Sequence, residues 1–571
     1  MTHSPLYPDL VLAPDALVDV LIAAGIRYVF GLSGGHTGRI FAALEKRQDA
    51  IRTLLVREES LGSAMAETIG RMTGVPGVIL GQGPWVLGNG LLGTIEARLS
   101  SSPMLLLTDF SDTPPHDMHA PYQSGTGDYG GWDARAAFGA VTKQVFHADT
   151  PNEGVIATRL AVKHALAGQP GPVAVIYSIL ALDGMAGGAA QPVLYPAAPY
   201  IRPAEPGLPD LGPATATMAG AARPLILPGN GVRIGGAETA LAALAARCTI
   251  PVVTTPSGKG VFDETSPLSA GTIGSYGNPL ANHALRAADV VLVAGSKLSA
   301  SDTLTGAHPL IDPARQTLIQ IDTEPRNLGW TQPVTHALQG GAAPVLRALA
   351  QAMNPASPGA SWLAGVNVPR TLPLPHESGG VLTPPGIIAA MQAHLPPETI
   401  YTCDAGENRI FMLHYLRTLA PGRFSQPAGA GPMGYAVPSA MAQRLLNPEL
   451  LVVAFGGDGG FSMTMNGLLT AVEESLPILC VVMNNSALGW SQHSRGPFAT
   501  QFARVDYAAI ARGMGCVGVA VRAPRDLPGA LRAATLAVRQ GQPAVIDVET
   551  TMDISFAELA DARTRTVFAA G

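Results

Sequence analysis

The sequence predicts an α/β fold of three doubly wound parallel-sheet domains. Short, continuously apolar runs alternate with amphipathic helical segments along the chain, and strands covered by helices on both faces read as such runs. Two stretches rich in Pro, Ala, Gly and Ser, 191–213 and 354–380, divide the alternation into three blocks. The 571 residues also exceed one hydrophobic core, and this length suggests about three or four domains.

In the first block the strand runs are 27–30, 77–80, 103–108 and 172–177. The second block has 225–228, 250–254, 290–294 and 317–321, and the third has 399–402, 450–455, 478–483 and 544–548. Domains are therefore expected at 1–190, 191–365 and 366–571. No short-period repeat is visible.

Apolar residues make up 47% of the chain and charged residues only 14%, so much apolar surface has to be hidden, and extensive subunit contacts would hide it. The 65 glycines and 49 prolines fit many strand-to-helix turns, given the recurring apolar runs. A net charge of −6 without a basic cluster argues against a nucleic-acid partner. Cys248, Cys403, Cys480 and Cys516 lie far apart and form no CxxC pair. They argue against a disulfide framework or structural zinc, and suit a reducing cytosol. No basic-then-apolar leader opens the chain, and no run approaches the roughly 20 apolar residues of a membrane span. A soluble, cytoplasmic protein is expected.

The chemistry concentrates in the third block. Run 450–455 stops at Gly456-Gly457-Asp458-Gly459-Gly460, and ligands of parallel sheets bind at the carboxyl ends of strands. Glycines let the backbone approach an anion, and their N–H groups, with the next helix N-terminus, can hold phosphate oxygens. Run 478–483 ends in Asn484-Asn485, and Asn484 lies 26 residues after Asp458, one strand-helix-strand unit later. Magnesium takes oxygen ligands, usually one or two protein groups plus substrate phosphates. Asp458, Asn485 and the Ala487 carbonyl would leave room for two diphosphate oxygens and a water. Gly-Asp-Gly alone reads better as a plain turn; its pairing with Asn-Asn at two strand ends favours a magnesium-diphosphate site.

With these motifs the chain resembles the thiamine-diphosphate enzymes, whose signature is Gly-Asp-Gly followed by Asn-Asn at this spacing. The resemblance covers essentially the whole chain, in the acetolactate synthase, benzaldehyde lyase and pyruvate oxidase branch. It implies pyrimidine-binding, central and diphosphate-binding domains in that order, with thiamine diphosphate and Mg2+ as cofactors. It further implies a homodimer or homotetramer whose active sites lie between the first domain of one subunit and the third of another.

The family activates the thiazolium C2 through a buried Glu hydrogen-bonded to N1′ of the aminopyrimidine. A carboxyl in an apolar site has a raised pKa and can share that proton. Glu59, in Val56-Arg57-Glu58-Glu59 before Gly70-Arg71-Met72-Thr73-Gly74, is similar to the family's Arg-His-Glu strand end. Glu58 stands where His is usual, and the downstream register selects Glu59. Gly429-Ala430-Gly431-Pro432-Met433-Gly434-Tyr435 looks like the segment that keeps the cofactor bent. By that analogy Met433 wedges between the two rings and the Gly431 carbonyl accepts from the 4′-amino group, a proximity effect. Gly406 and Asn408, with Gly457, Asp458, Gly459, Gly460 and Asn485, are the implied diphosphate-side contacts.

The rest of the pocket decides the reaction. His36, in Gly31-Leu32-Ser33-Gly34-Gly35-His36, resembles the Gly-Leu-x-Gly-x-His of benzaldehyde lyase and is a candidate proton shuttle. Gln123 falls where carboligases and lyases of the branch keep a Gln. Pro121 and Tyr122 replace the paired histidines of pyruvate decarboxylases. Trp85, in Gly83-Pro84-Trp85, departs from the family's Gly-Pro-Gly and either reshapes the acceptor side or simply packs. Trp490, Gln492 and His493 are further substrate-side candidates. Relatives bind FAD or ADP in the central domain, and here FAD is possible but not favoured. The implied activity is a carboligase or lyase acting beside a carbonyl of a 2-keto acid, acyloin or 1,2-dione. The alternatives are an FAD-dependent 2-keto acid oxidase, a 2-keto acid decarboxylase and a non-catalytic cofactor-binding paralogue.

Overall fold

The apolar runs form the middles of three six-stranded parallel sheets flanked by helices, as the fold class required. The structure, a computed structural model, describes residues 4–110, 115–188, 193–195, 197–304, 309–355, 361–419 and 421–561. The chain divides into two compact units, Met1–Ala204 and Glu205–Gly571.

In the first unit the strands of the six-stranded sheet are β1 (Tyr28–Gly31), β2 (Arg52–Leu55), β3 (Gly77–Gln82), β4 (Met104–Asp109), β5 (Gln144–Ala148) and β6 (Pro172–Tyr177). They lie in the order β2-β1-β3-β4-β6-β5. β4 and β6 are buried at every residue, which a strand covered on both faces requires. Leu105, Leu107, Val173 and Val175 share one core with Leu17, Leu21 and Val162. Helix Glu59–Thr73 is buried from Glu59 through Arg71. Gly93 lets the neighbouring helix approach it, since a Cβ there would lie 2.1 Å from the Ser63 carbonyl carbon. Between the two helices Arg71 pairs with Glu67 at 2.7 Å and Glu96 at 2.5 Å, all three fully buried.

The second unit carries two six-stranded sheets. The first consists of β7 (Pro224–Pro228), β8 (Val252–Thr254), β9 (Ser269–Thr272), β10 (Val290–Ala294), β11 (Thr317–Asp322) and β12 (His336–Gln339), in the order β9-β8-β7-β10-β11-β12. The other consists of β13 (Ile400–Cys403), β14 (Phe424–Ser425), β15 (Val452–Gly457), β16 (Leu479–Asn484), β17 (Val517–Val521) and β18 (Ala544–Glu549). Its order, β14-β13-β15-β16-β18-β17, repeats the strand permutation of the first unit. Buried Lys259 stitches the two sheets of this unit: its Nζ donates to both Glu264 oxygens and to the Leu416 carbonyl, each at 2.8 Å.

The apolar runs coincide with the four inner strands of each six-stranded sheet and with none of the six edges, β2, β5, β9, β12, β14 and β17. Of the expected linkers, 191, 192 and 196 in the first and 356–360 in the second lie outside the described residues. The described part of the first holds the short helices Ala198–Ile201 and Gly212–Ala219.

Candidate active site

In an open α/β sheet the ligand crevice lies where strand order reverses, outside the carboxyl ends of the two diverging strands. In the last sheet that point falls between β13 and β15, and two glycine-led helices start there, Glu407–Tyr415 and Asp458–Thr464. A cleft opens above them. Gly406, Asn408, Met433, Gly457, Asp458, Gly459, Gly460, Asn485, Ala487 and Trp490 all line it. One cavity thus gathers the expected diphosphate and metal residues of this unit except Gly431. Gly431 sits in the Met433 loop with φ +67°, and His493 stands just behind the lining.

Several glycines have explicit reasons. Gly406 adopts φ +101°, a conformation costly for residues with a Cβ. A Cβ on Gly460 would lie 2.3 Å from Asp404 Oδ2. A Cβ on Gly457 would meet no atom within 4 Å, so packing does not demand glycine there and the position faces open cleft. Asp404 is the buried post of the turn. It accepts the Ala436 N–H at 2.7 Å, and burial pushes its carboxyl up to about 6. Asn408 Nδ2 donates to the Asp404 carbonyl at 2.8 Å.

Asp458 is 2% exposed. Burial raises its carboxyl to about 6, against the lowering pull of the Gly459, Ser486 and Ala487 N–H groups. Asn485 Oδ1 accepts from Ala487 N–H at 3.1 Å. The Ala487 carbonyl accepts no hydrogen bond among the described residues. The cleft therefore offers a carboxylate, an amide oxygen and an orphan carbonyl, an all-oxygen set that suits a hard divalent cation. No group of three or more His, Cys, Asp or Glu among the described residues could hold a metal instead. A single carboxylate fits a magnesium ion whose remaining ligands are diphosphate oxygens. The open backbone at Gly457 and the two helix N-termini fit the diphosphate.

Two groups at the cleft escaped the sequence reading. Glu407 lines it and pairs closely with His493 Nδ1, while His493 Nε2 lies 2.8 Å from the Met552 carbonyl. The Glu407 bond raises the His493 pKa against the opposing effect of burial. Trp490 stacks on Phe556 at 4.0 Å and 8°. The second missed group is Asp404, and its signal was a carboxylate closing an apolar strand.

In the first unit the same permutation reverses order between β1 and β3. Glu59 opens its helix, is 8% exposed, and accepts from Asn89 Nδ2 at 3.0 Å. Glu58 is instead partnered by the Ser60 hydroxyl. The His36 loop follows β1, and its backbone N–H donates to Asp109 Oδ2 at 2.7 Å; the Gly83 N–H donates to Asp109 Oδ1 at 3.2 Å. His36 Nδ1 is buried with no partner among the described residues. Gln123, at φ +65°, accepts from Gln82 Nε2 at 3.3 Å, and Trp85 is 47% exposed. Asp109 and Gln82 were missed although each closes an apolar strand, as Asp404 does. Burial raises the Asp109 pKa against the N–H groups it accepts.

Three family models match the chain. They are described as the thiamine pyrophosphate enzyme N-terminal TPP binding domain, over residues 13–126, the central domain, over 211–349, and the C-terminal TPP binding domain, over 404–548. The chain is 28% identical over 556 residues to a probable acetolactate synthase large subunit of Methanocaldococcus jannaschii, covering 94% of this chain and 91% of the relative. It is 27% identical over 564 residues to the acetolactate synthase large subunit of Corynebacterium glutamicum, covering 95% and 87%. It is also 27% identical over 564 residues to a pyruvate oxidase of Lactiplantibacillus plantarum, covering 95% and 89%.

Proposed function

The chain belongs to the thiamine pyrophosphate enzyme family, and on that premise we propose a thiamine-diphosphate- and Mg2+-dependent carboligase or lyase acting beside a carbonyl. The cleft lined by Asp458, Asn485 and Ala487 carries this reading. Its substrates are 2-keto acids, acyloins or 1,2-diones. Domain limits at 1–190, 191–365 and 366–571 are supported by the family matches, each of which falls inside one of them.

When bound, thiamine diphosphate supplies a carbon nucleophile for a carbonyl and Mg2+ holds its diphosphate. This chain's residues do the rest. Asp458, Asn485 and the Ala487 carbonyl would hold the metal, and the Gly460 N–H would donate to a phosphate oxygen, with Gly457 and Gly459 leaving the backbone open to its approach. Met433 and Gly431 keep the ring system oriented. Glu59, fixed by Asn89, holds and moves the proton at N1′ of the aminopyrimidine. His36 and Gln123 serve the substrate oxygen, with Trp85 and Trp490 around the substrate, while His493, expected there too, stands behind the lining and is engaged by Glu407 and Met552.

Glu59 and Asp458 belong to different compact units. We assign the working site to two copies of the chain, as a homodimer or homotetramer in the cytoplasm. The four cysteines, all buried and unpaired, suit that compartment. A fully active monomer in sedimentation would refute the shared site.

The flavin oxidase reading draws support from the pyruvate oxidase relative. The middle sheet's glycine loops give it little, because Gly231 N–H donates to the Gly295 carbonyl at 2.9 Å and mutual packing explains both glycines. Stoichiometric flavin in the purified protein would favour the oxidase. The deciding experiment supplies thiamine diphosphate and Mg2+ with pyruvate, acyloins, cyclic diones and aldehydes, and identifies products by mass spectrometry. Ligated or cleaved carbon skeletons support the proposal. A cofactor-loaded protein that turns over none of them is a non-catalytic paralogue.

A further inference from the structure

We propose that Glu407, His493 and Met552 form a positioning relay that sets the Asn485 amide for the metal. The proposal rests on the reading above that Asn485 holds Mg2+. A side-chain amide with no partner can present oxygen or nitrogen to a cation, and only oxygen is a ligand. Here the Asn485 Nδ2 donates to the Met552 sulfur at 3.0 Å. That contact turns Oδ1 the other way, where it receives one N–H from Ala487 at 3.1 Å and keeps a second lone pair for the ion.

Met552 is held in turn. Its carbonyl lies 2.8 Å from His493 Nε2, and His493 Nδ1 faces the Glu407 carboxylate. The Met552 carbonyl only accepts, so His493 Nε2 donates to it, and Nδ1 shares a proton with the Glu407 carboxyl group. Both ring nitrogens are then committed to protein oxygens, which makes His493 a positioning residue in this relay. The contact at the Glu407 end is built in closely: a Cβ on Gly489 would lie 2.2 Å from Glu407 Oε2, so any side chain there would displace the carboxylate. The Trp490–Phe556 stack independently ties the same helix, Gly489–Arg495, to the chain segment that carries Met552.

The relay therefore runs from the helix N-terminus under the diphosphate site, through His493 and Met552, to the metal amide. Partners behind a metal ligand typically change metal affinity about 10–100-fold when removed.

The test measures thiamine-diphosphate binding by calorimetry across a Mg2+ series, without turnover. His493→Leu is expected to raise the half-saturating Mg2+ concentration about 10–100-fold. Met552→Leu keeps the side chain's bulk and removes its acceptor, and should raise it by a smaller factor in the same direction. Thermal melting without metal checks that each variant folds; if His493→Leu does not, Met552→Leu decides alone. A Met552→Leu protein that folds and keeps the wild-type Mg2+ requirement overturns the relay. Wild-type protein that binds thiamine diphosphate equally well with Mg2+ or with a chelator overturns the metal reading instead, so the two failures are distinguishable.

Discussion

Asp458→Asn should make the metal-free protein more stable while abolishing its metal binding. Burial lifts the Asp458 carboxyl from 3.8 to about 6, close to 2 pK units, and each unit corresponds to about 1.4 kcal/mol. Keeping this carboxylate ionised in the folded, metal-free state therefore costs about 3 kcal/mol. The sign follows from proton linkage. Between roughly pH 4 and pH 6 the folded state holds the proton more tightly than the unfolded chain, so stability falls as pH rises through that window. Above pH 6 the full cost applies. Asn removes the charge and keeps one oxygen for the N–H groups of Gly459, Ser486 and Ala487. Loss of the other oxygen returns about 1 kcal/mol or more, leaving a net gain of about 1–2 kcal/mol. Urea denaturation with a chelator present at pH 7.5 and again near pH 4.5 reads the difference. The variant's advantage should be clear at the higher pH and fade at the lower. Adding Mg2+ and thiamine diphosphate should stabilise the wild type by mass action and leave the variant unmoved. A variant less stable than wild type at pH 7.5 without metal, or one still stabilised by Mg2+, would refute this reasoning.

Glu59→Gln should lower kcat by about 10²–10⁴-fold with thiamine-diphosphate affinity retained, measured by steady-state kinetics beside calorimetry. Gly460→Ala places a methyl 2.3 Å from the Asp404 carboxylate and should cost about 1–3 kcal/mol on chemical denaturation, with weaker cofactor binding. Arg71→Met leaves Glu67 and Glu96 buried without their cation. It should cost about 3–5 kcal/mol, read as a lowered denaturation midpoint at neutral pH.

How far the sequence could be read depends on burial. An inner strand touches apolar neighbours on both faces and must be a continuous apolar run, which is why β4, β6 and β10 stand out. An edge strand has only one neighbour, and several here are partly exposed or only two residues long. Arg52–Leu55 and His336–Gln339 each bury a single residue fully, so neither leaves an apolar signature. The same contrast governs the site. Asp458 and Asn485 announce themselves because glycines or a second amide surround them at strand ends. Asp109, Asp404 and Glu407 act through backbone N–H groups or through a partner distant in sequence, as Glu407 does with His493. The Glu407–His493 partnership exists only once the chain has folded, so no local pattern records it, while Asp109 and Asp404 leave only the weaker signal of a carboxylate closing an apolar strand.

The spatial order β2-β1-β3-β4-β6-β5 also imposes a timetable on synthesis. β6 lies between β4 and β5, so the first sheet cannot close until Pro172–Tyr177 has emerged from the ribosome. Soon afterwards the buried apolar residues described in this unit are all in place, since they lie between Ala13 and Ile201. The remaining 367 residues (571 − 204) take about 20–70 s at ordinary elongation rates of about 5–20 residues per second. Until Ala544–Glu549 emerges late in that interval, the unit holding Glu59 can exist folded while the sheet that carries Asp458 is incomplete. Trp85, Ile95 and Leu99, all substantially exposed on this unit, are the surface that a nascent chain would have to keep from premature association.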